Sequence, residues 1–81
     1  MDELIKLGLT EYEERTYVAL LRFGPMTATE TGLKSKVPRT KVYPTIERLR
    51  ELGFVEIQQR KPLTFRAIEP RIAVWKYIKG M

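Results

Sequence analysis

The 81-residue chain contains no cysteine, histidine or asparagine, and the first two absences each remove a class of chemistry. Without cysteine the chain can form neither disulfides nor thiolate metal sites. Without histidine it lacks the commonest general base and metal ligand. It also has no glycine-rich phosphate loop and no acidic pair in a recognisable catalytic arrangement. We therefore expect a protein that is not an enzyme and that uses no metal or cofactor.

Long apolar runs are absent as well. No window approaches the ~20 apolar residues of a membrane-spanning helix, and the N-terminus has no apolar signal region. The length allows a single domain, which would bury a little over ~60% of the surface of its unfolded chain. These features predict one cytoplasmic domain over residues 1–81 with no membrane partner.

The net charge of +5 is distributed unevenly along the chain. Residues 1–33 hold three basic and six acidic side chains, a balance of −3, whereas residues 34–81 hold twelve basic and four acidic ones, a balance of +8. An electropositive pole on a small domain is typical of a surface that meets a polyanion. A basic surface that serves only solubility is the alternative that charge alone leaves open.

Two helices with capping-box starts are predicted first. In LTEYEERTYVALLRFG, Thr10 and Glu13 form the box and Gly24 ends the helix. In MTATETGLKSK, Thr27 and Glu30 form the second box, and the helix is short. The inward face of the first helix is predicted to consist of Tyr12, Thr16, Ala19, Leu20 and Phe23, with Tyr17 on its flank.

The stretch VPRTKVYPTIERLRELGF predicts a third helix. Val42, Ile46 and Leu49 are spaced i, i+4, i+7 and form its core stripe. Gly53 ends the helix, and Phe54 is placed to contact Leu49, as in a Schellman cap.

The opposite face of the third helix is expected to point away from the core. It consists of Thr40, Pro44, Glu47 and Glu51. Pro44 removes the hydrogen bond to the Thr40 carbonyl, which costs up to ~3 kcal/mol in a helix interior. A helix start near Thr40 would reduce this cost, and a bend or shaped contact surface is the functional alternative. The N-terminal end concentrates hydrogen-bond donors and the positive end of the helix dipole.

After residue 53 the periodicity changes from helical to extended. FVEIQQ and TFRAI predict two strands around the basic turn RKPL, and PRIAVWKYIKGM predicts a last helix from Pro70. Two helices joined by a tight turn and followed by a hairpin form a winged helix–turn–helix. The predicted fold class is mostly α (α+β), with a three-helix core, a β-hairpin wing and a C-terminal helix.

This arrangement predicts binding to double-stranded DNA, with the third helix in the major groove and the basic wing on the phosphate backbone. Arg39 is the candidate for a guanine or phosphate contact. Tyr43 either packs on the wing or contacts a base or sugar, and Glu47 either accepts from cytosine N4 or forms an ion pair on the helix surface. The predicted DNA-binding residues are Thr27, Thr29, Arg39, Thr40, Lys41, Tyr43, Arg48, Arg60 and Lys61.

The last helix, residues 71–81, is predicted to form a dimer interface. Between residues 72 and 79 only Lys76 and Lys79 are charged, and they share one face. The apolar remainder is too wide for a surface helix of a monomer, so a partner is expected to cover it. The predicted interface residues are Val74, Trp75, Tyr77 and Ile78. The alternative is the frayed end of a linker.

LGLTEYEERTYVALLRFGPMTATE together with VPRTKVYPTIERLRELGFVEI resembles the N-terminal DNA-binding domain of the TrmB-like archaeal transcriptional regulators. The resemblance covers roughly residues 7 to 70. It implies a winged-helix domain that binds operator DNA as a homodimer, often under sugar control.

The family's second helix is usually alanine-rich and ends in glycine, where this chain has Gly32 and Lys36. The family usually lacks proline at position 44. The stretch YPTIERLRELGFVE, which contains Pro44, instead resembles the PadR-like regulators, which are also winged-helix proteins. The family's usual effector-binding domain does not follow before Met81, so the ligand-binding part of the family's function does not carry over, and no small-molecule effector is evident from the sequence.

Two other functions stay open at this point. A winged helix can act as a protein-interaction module of a transcription or chromatin assembly, although such a module would typically lack a basic recognition helix and a basic wing. A winged helix that binds RNA is the third possibility.

Overall fold

A computed structural model describes residues 8–71 of the chain. The elements are α1 (Glu11–Phe23), α2 (Ala28–Ser35), α3 (Arg39–Leu52), β1 (Val55–Gln58) and β2 (Thr64–Ala67). The strands pair antiparallel, with Val55 opposite Ala67 and Gln58 opposite Thr64. This confirms the predicted order of three helices and a hairpin. Helical backbone resumes at Pro70, as predicted, and the remainder of the predicted last helix lies outside the described residues.

Both predicted capping boxes are present. The Glu13 N–H donates to Thr10 Oγ1 at 3.1 Å, and the Thr10 N–H donates to Glu13 Oε1 at 2.9 Å. Thr27 and Glu30 form the same reciprocal pair at 3.3 and 3.0 Å. Each box satisfies N–H groups that have no partner within the helix, so it fixes the residue at which the helix begins.

The ends of α3 follow different rules. The helix begins at Arg39 with Pro38 as its N-cap, and Pro44 therefore lies inside the helix, where it cannot donate to the Thr40 carbonyl. At the other end Gly53 has a φ of 87°, and the Phe54 N–H donates to the Leu49 carbonyl at 2.9 Å. This is the predicted Schellman cap.

The core lies between α1, α3 and the sheet. The predicted stripe of Val42, Ile46 and Leu49 is at most 2% exposed. The Tyr17 and Phe54 rings meet edge to face, with centroids 5.3 Å apart. Full burial of Tyr17, which the periodicity placed on a flank, follows from α1 packing against α2, α3 and β2 together.

Phe23 departs from its predicted inward position, since 53% of it is exposed. It is the last residue of α1, and the chain turns away at Gly24 before the core can close over the ring. Lys34 Nζ instead lies 4.8 Å from the ring centroid, so a cation–π contact covers one face of the phenyl group.

The hairpin is attached to the helices through its second strand. The Met26 N–H donates to the Phe65 carbonyl at 3.1 Å, and the Phe65 N–H donates to the Met26 carbonyl at 2.8 Å. Beyond β2, the Ile68 N–H donates to the Phe54 carbonyl at 2.9 Å, and Tyr17 Oη donates to the Ile68 carbonyl at 2.5 Å. The wing therefore has a fixed position relative to all three described helices.

The Tyr17 hydroxyl yields a stability prediction. Burial raises its pKa from 10.0 to about 12. Because the folded state holds the phenol proton more tightly, the free energy of unfolding should fall as the pH rises from 10 towards 12. Tyr17→Phe should cost about 1 kcal/mol at neutral pH, through loss of one hydrogen bond, and should lack this alkaline decrease.

Urea unfolding at several pH values measures both effects. Tyr43→Phe is the control, because the Tyr43 ring is 58% exposed and the wild-type decrease should persist. An equal alkaline decrease in Tyr17→Phe and in the wild type would refute the assignment to Tyr17.

Candidate nucleic-acid interface

The turn between α2 and α3 sets the direction of α3. Lys36 adopts the left-handed conformation at φ 59° and ψ 33°, where the chain would fit glycine more easily. Arg15 of α1 donates from Nε to the Ser35 carbonyl at 3.1 Å and from Nη2 to the Lys36 carbonyl. The guanidinium thus satisfies carbonyls at the end of α2 that have no helical partner. Sequence patterns gave no sign of this role for Arg15.

Gly32 explains how closely α2 and α3 approach each other. A Cβ atom at this position would lie 3.2 Å from Val42 Cγ2, which is tighter than an ordinary van der Waals contact. Glycine inside a helix costs roughly 1 kcal/mol relative to alanine. Here the absence of a side chain at Gly32 permits close packing between the two helices of the helix–turn–helix.

The N-terminus of α3 differs from those of the two preceding helices. α1 and α2 each carry acidic side chains in the first turn, whereas α3 has none, and its N-cap Pro38 provides no side-chain hydrogen bond. Its positive dipole end is therefore not neutralised by a carboxylate of its own first turn. Arg39, Thr40 and Lys41 are exposed there, and within the described residues their side chains have no hydrogen-bond or ion-pair partner.

The wing tip is the second place where positive charge is free. The Arg60 N–H donates to the Gln58 carbonyl at 2.8 Å, which turns the chain beyond β1. Arg60 and Lys61 are both exposed, and neither side chain pairs with a carboxylate in residues 8–71. These two cations can accept an external anion without first breaking an internal contact.

Other cations of α3 and the sheet are engaged by carboxylates. The pairs are Arg48 with Glu13 at 4.0 Å, Arg50 with Glu47 at 2.8 Å, and Arg66 with Glu56. The pair between Arg50 and Glu47 is the ion pair on the helix surface that the sequence left open as one of two arrangements for Glu47. The hydrogen bond from Arg50 to Glu47 raises the pKa of Arg50. Arg48 is thereby directed towards α1, unlike the other predicted contact residues of α3.

Tyr43 takes up one of its two predicted arrangements. Its ring meets Phe65 of the wing edge to face, with centroids 6.4 Å apart. Because 58% of the residue is still exposed, the wing contact holds the ring in place and leaves part of its surface accessible.

The two threonines at the start of α2 differ in whether their hydroxyl groups are free to contact a ligand. The Thr27 hydroxyl contacts Glu30 as both donor and acceptor, and the Thr27 N–H donates to the same carboxylate, which lowers the pKa of Glu30. Thr29 is exposed, and its side chain has no hydrogen-bond partner in the described part of the chain. A ligand would therefore compete with Glu30 for Thr27 but meet no competitor at Thr29.

A shallow groove brings several of the predicted residues together. Thr29, Arg39 and Tyr43 line it, with Ala28 and Val42 between them. Arg60 and Lys61 belong to the separate projection of the wing tip. Sequence reasoning missed the apolar residues of this groove, although Gly32 inside a predicted helix was a signal of close helix approach.

A helix–turn–helix followed by an anchored two-stranded hairpin is a winged helix–turn–helix domain. The chain belongs to the TrmB family: the family described as "Sugar-specific transcriptional regulator TrmB" matches residues 4–71.

Two archaeal relatives are similar over nearly the whole chain. The HTH-type sugar sensing transcriptional regulator TrmBL1 of Pyrococcus furiosus is 36% identical over 76 residues, 94% of this chain. The DNA-binding HTH-type transcriptional repressor TrmBL2 of Thermococcus kodakarensis is 35% identical over 79 residues, 98% of this chain. The chain spans 22% of the length of the first and 29% of the second.

A solved structure supports the fold directly. The TrmBL2 structure, presented as that of an archaeal chromatin protein with a novel mode of DNA binding, has a TM-score of 0.81 to this chain at 34% identity. The match covers 90% of this chain and 28% of that one.

None of the helices in the described residues is long and apolar enough to cross a membrane. No group of three or more acidic side chains within residues 8–71 is arranged to hold a metal ion.

Proposed function

We propose that this chain binds double-stranded DNA sequence-specifically and regulates transcription as a homodimer. The observation that carries the proposal is the placement of free positive charge. Arg39 and Lys41 at the start of α3, and Arg60 and Lys61 at the wing tip, are exposed and unpaired within the described residues, whereas Arg48, Arg50 and Arg66 have carboxylate partners.

The proposed major-groove element is α3. Its buried face is continuous, and its exposed face starts with an uncapped N-terminus flanked by two cations. A helix of this kind can enter the major groove with its first turn against the base edges. Arg39 is the proposed guanine ligand, Thr40 and Lys41 contact adjacent bases or phosphates, and Tyr43 presents its exposed edge to a base or sugar.

The wing contributes phosphate contacts in this proposal. Arg60 and Lys61 neutralise backbone charge, which positions the domain but carries no sequence information. Exposed Thr29, in the first turn of α2, is a further proposed phosphate contact. Thr27 and Arg48 are secondary candidates, because Glu30 and Glu13 already engage them.

Dimerisation is proposed through residues 71–81. The support is the apolar composition of Val74, Trp75, Tyr77 and Ile78, which lie outside the described residues. A two-fold dimer would place two α3 helices about one DNA turn apart, so the preferred site would be a palindrome.

A protein-interaction module is the second candidate function. The observation in its favour is that TrmBL2, a relative of known structure, is described as a chromatin protein. Such a module has no need of uncompensated cations at both the helix start and the wing tip. Competition between duplex RNA and duplex DNA for the chain distinguishes RNA binding from the proposed DNA binding.

Replacing the wing-tip cations should weaken binding to all DNA sequences about equally. Arg60→Ala with Lys61→Ala removes two proposed phosphate contacts. The slope of log K against log salt should therefore become shallower by roughly 2, at about 0.9 per contact. Fluorescence anisotropy with a random-sequence duplex at several salt concentrations measures both affinity and slope.

A charge-matched control separates this effect from net charge. Arg22→Ala with Lys34→Ala removes the same charge from a groove lined only by α1 and α2 residues. Equal losses in the two double variants would show that overall charge, and not the wing, drives binding. Salt-insensitive binding, or none by the wild type, would favour the protein-interaction class.

The base-reading role of Arg39 has its own test. Arg39→Ala should cost about 1–3 kcal/mol on a duplex selected from a random pool, and should relax the preference at one base pair. Affinity for unselected duplexes should change much less. If both kinds of duplex lose affinity equally, Arg39 contacts phosphate and not a base.

The proposed dimer is tested by analytical ultracentrifugation at micromolar concentration. We expect a concentration-dependent dimer that Trp75→Ala combined with Ile78→Ala shifts to the monomer. Leu33→Ala, at a 74% exposed residue of α2, is the control and should leave the equilibrium unchanged. A wild-type monomer with Trp75 fluorescence typical of full solvent exposure would contradict the dimer.

A further inference from the structure

An apolar groove runs beside Arg39 between α2 and α3. Its walls are Ala28, Thr29, Gly32 and Leu33 of α2, Val37 of the turn, and Arg39 and Val42 of α3. The groove continues along Ala28, Thr29 and Arg39 to Tyr43, so it opens on the surface that the proposed function assigns to the major groove.

The groove exists because two positions depart from ordinary packing. Gly32 has no side chain, and the space where one would stand is bounded by Val42, which forms the buried floor. Leu33 stands at the rim with 74% of its surface exposed. A single exposed leucine needs no explanation by itself. Here, however, it extends an apolar wall next to a cation proposed to contact bases.

The chemistry of the walls limits what can occupy the groove. Apart from Thr29 Oγ1, the α2 side chains in the walls offer only carbon atoms, which cannot match the donor and acceptor groups of base edges. The C5-methyl group of thymine is the apolar group that a DNA base pair presents in the major groove. Placing it here buries a methyl group against Leu33 and Val42 while Arg39 contacts the neighbouring base.

We propose that this groove receives the C5-methyl group of a thymine adjacent to the base pair read by Arg39, and that Leu33 is a specificity-determining residue. The proposal rests on the proposed function, because it requires α3 to lie in the major groove. It adds a preference that hydrogen bonding by Arg39 cannot provide. Burial of one methyl group corresponds to about a four-fold change in affinity, at about 0.8 kcal/mol.

The test removes single methyl groups from the DNA. A selected duplex is prepared with each thymine replaced in turn by deoxyuridine, which changes no hydrogen-bonding group, and the full chain is titrated by fluorescence anisotropy. One substitution in each half-site, next to the base pair at which Arg39→Ala relaxes the preference, should weaken binding about four-fold. A cytosine at that position should bind more tightly when it is 5-methylated, by a similar factor.

A variant pair assigns the effect to the groove. In Leu33→Ala the difference between thymine and deoxyuridine should shrink towards one-fold, and folding should be unaffected because the side chain is exposed. Leu63→Ala is the matched control, since it makes the same change at a 41% exposed leucine of the wing loop and should retain the difference.

The possible failures are distinguishable. Sequence-specific binding that tolerates every deoxyuridine overturns the methyl contact and leaves the proposed function intact. A thymine preference that Leu33→Ala does not reduce overturns the assignment to this groove. Absence of binding to any duplex overturns the proposed function and, with it, this inference.

Discussion

The pair of backbone hydrogen bonds between Met26 and Phe65 determines where the wing stands relative to the helices. A two-stranded hairpin is marginally stable on its own in water. Here the second strand is bonded to the segment that leads into α2, while the Phe65 side chain is 2% exposed and contacts Tyr43 of α3. One residue thus joins the hairpin, the entry to the helix–turn–helix and the proposed recognition helix. Rigid placement of two basic projections depends on this junction.

The carboxylates on and around α3 have a role that stability does not explain. Exposed ion pairs contribute only ~0–1 kcal/mol, so Glu47 and Glu56 add little to folding. Their effect is on the electrostatic potential, because each neutralises a cation beside the proposed contact surface. The acidic first turn of α1 adds negative charge around Glu13. On α3 and the hairpin, unpaired positive charge therefore lies at the start of the helix and at the wing tip, which favours one orientation of a polyanion over others.

Features determined by neighbouring residues could be predicted from the sequence. The capping boxes at Thr10 and Thr27, and the end of α3 at Gly53, follow from side chains within a few positions of one another. The buried stripe of α3 follows from its spacing. Contacts between distant residues could not be predicted in this way: Arg15 reaches a carbonyl 20 residues away, and Tyr17 one 51 residues away.

The candidate site shows the same division. The exposure of Arg39, Lys41 and the wing-tip cations could be predicted, since helical geometry and turn composition are local properties. The sequence could not predict which cations lack an ion-pair partner, because a partner can come from a distant element. Arg48, for example, is engaged by Glu13 of α1. The left-handed Lys36 was also not predictable, since its conformation is supported by Arg15 from another helix.

The position of Ile68 has a mechanical consequence. Its N–H is bonded to the Phe54 carbonyl and its carbonyl to the Tyr17 hydroxyl, so the backbone is held on both sides just after the chain leaves the sheet. A force or torque applied to the residues that follow acts on α1 and the end of α3 before it reaches the wing tip. The domain would then rotate as one piece, with α3 and the wing changing their angle to a bound partner together.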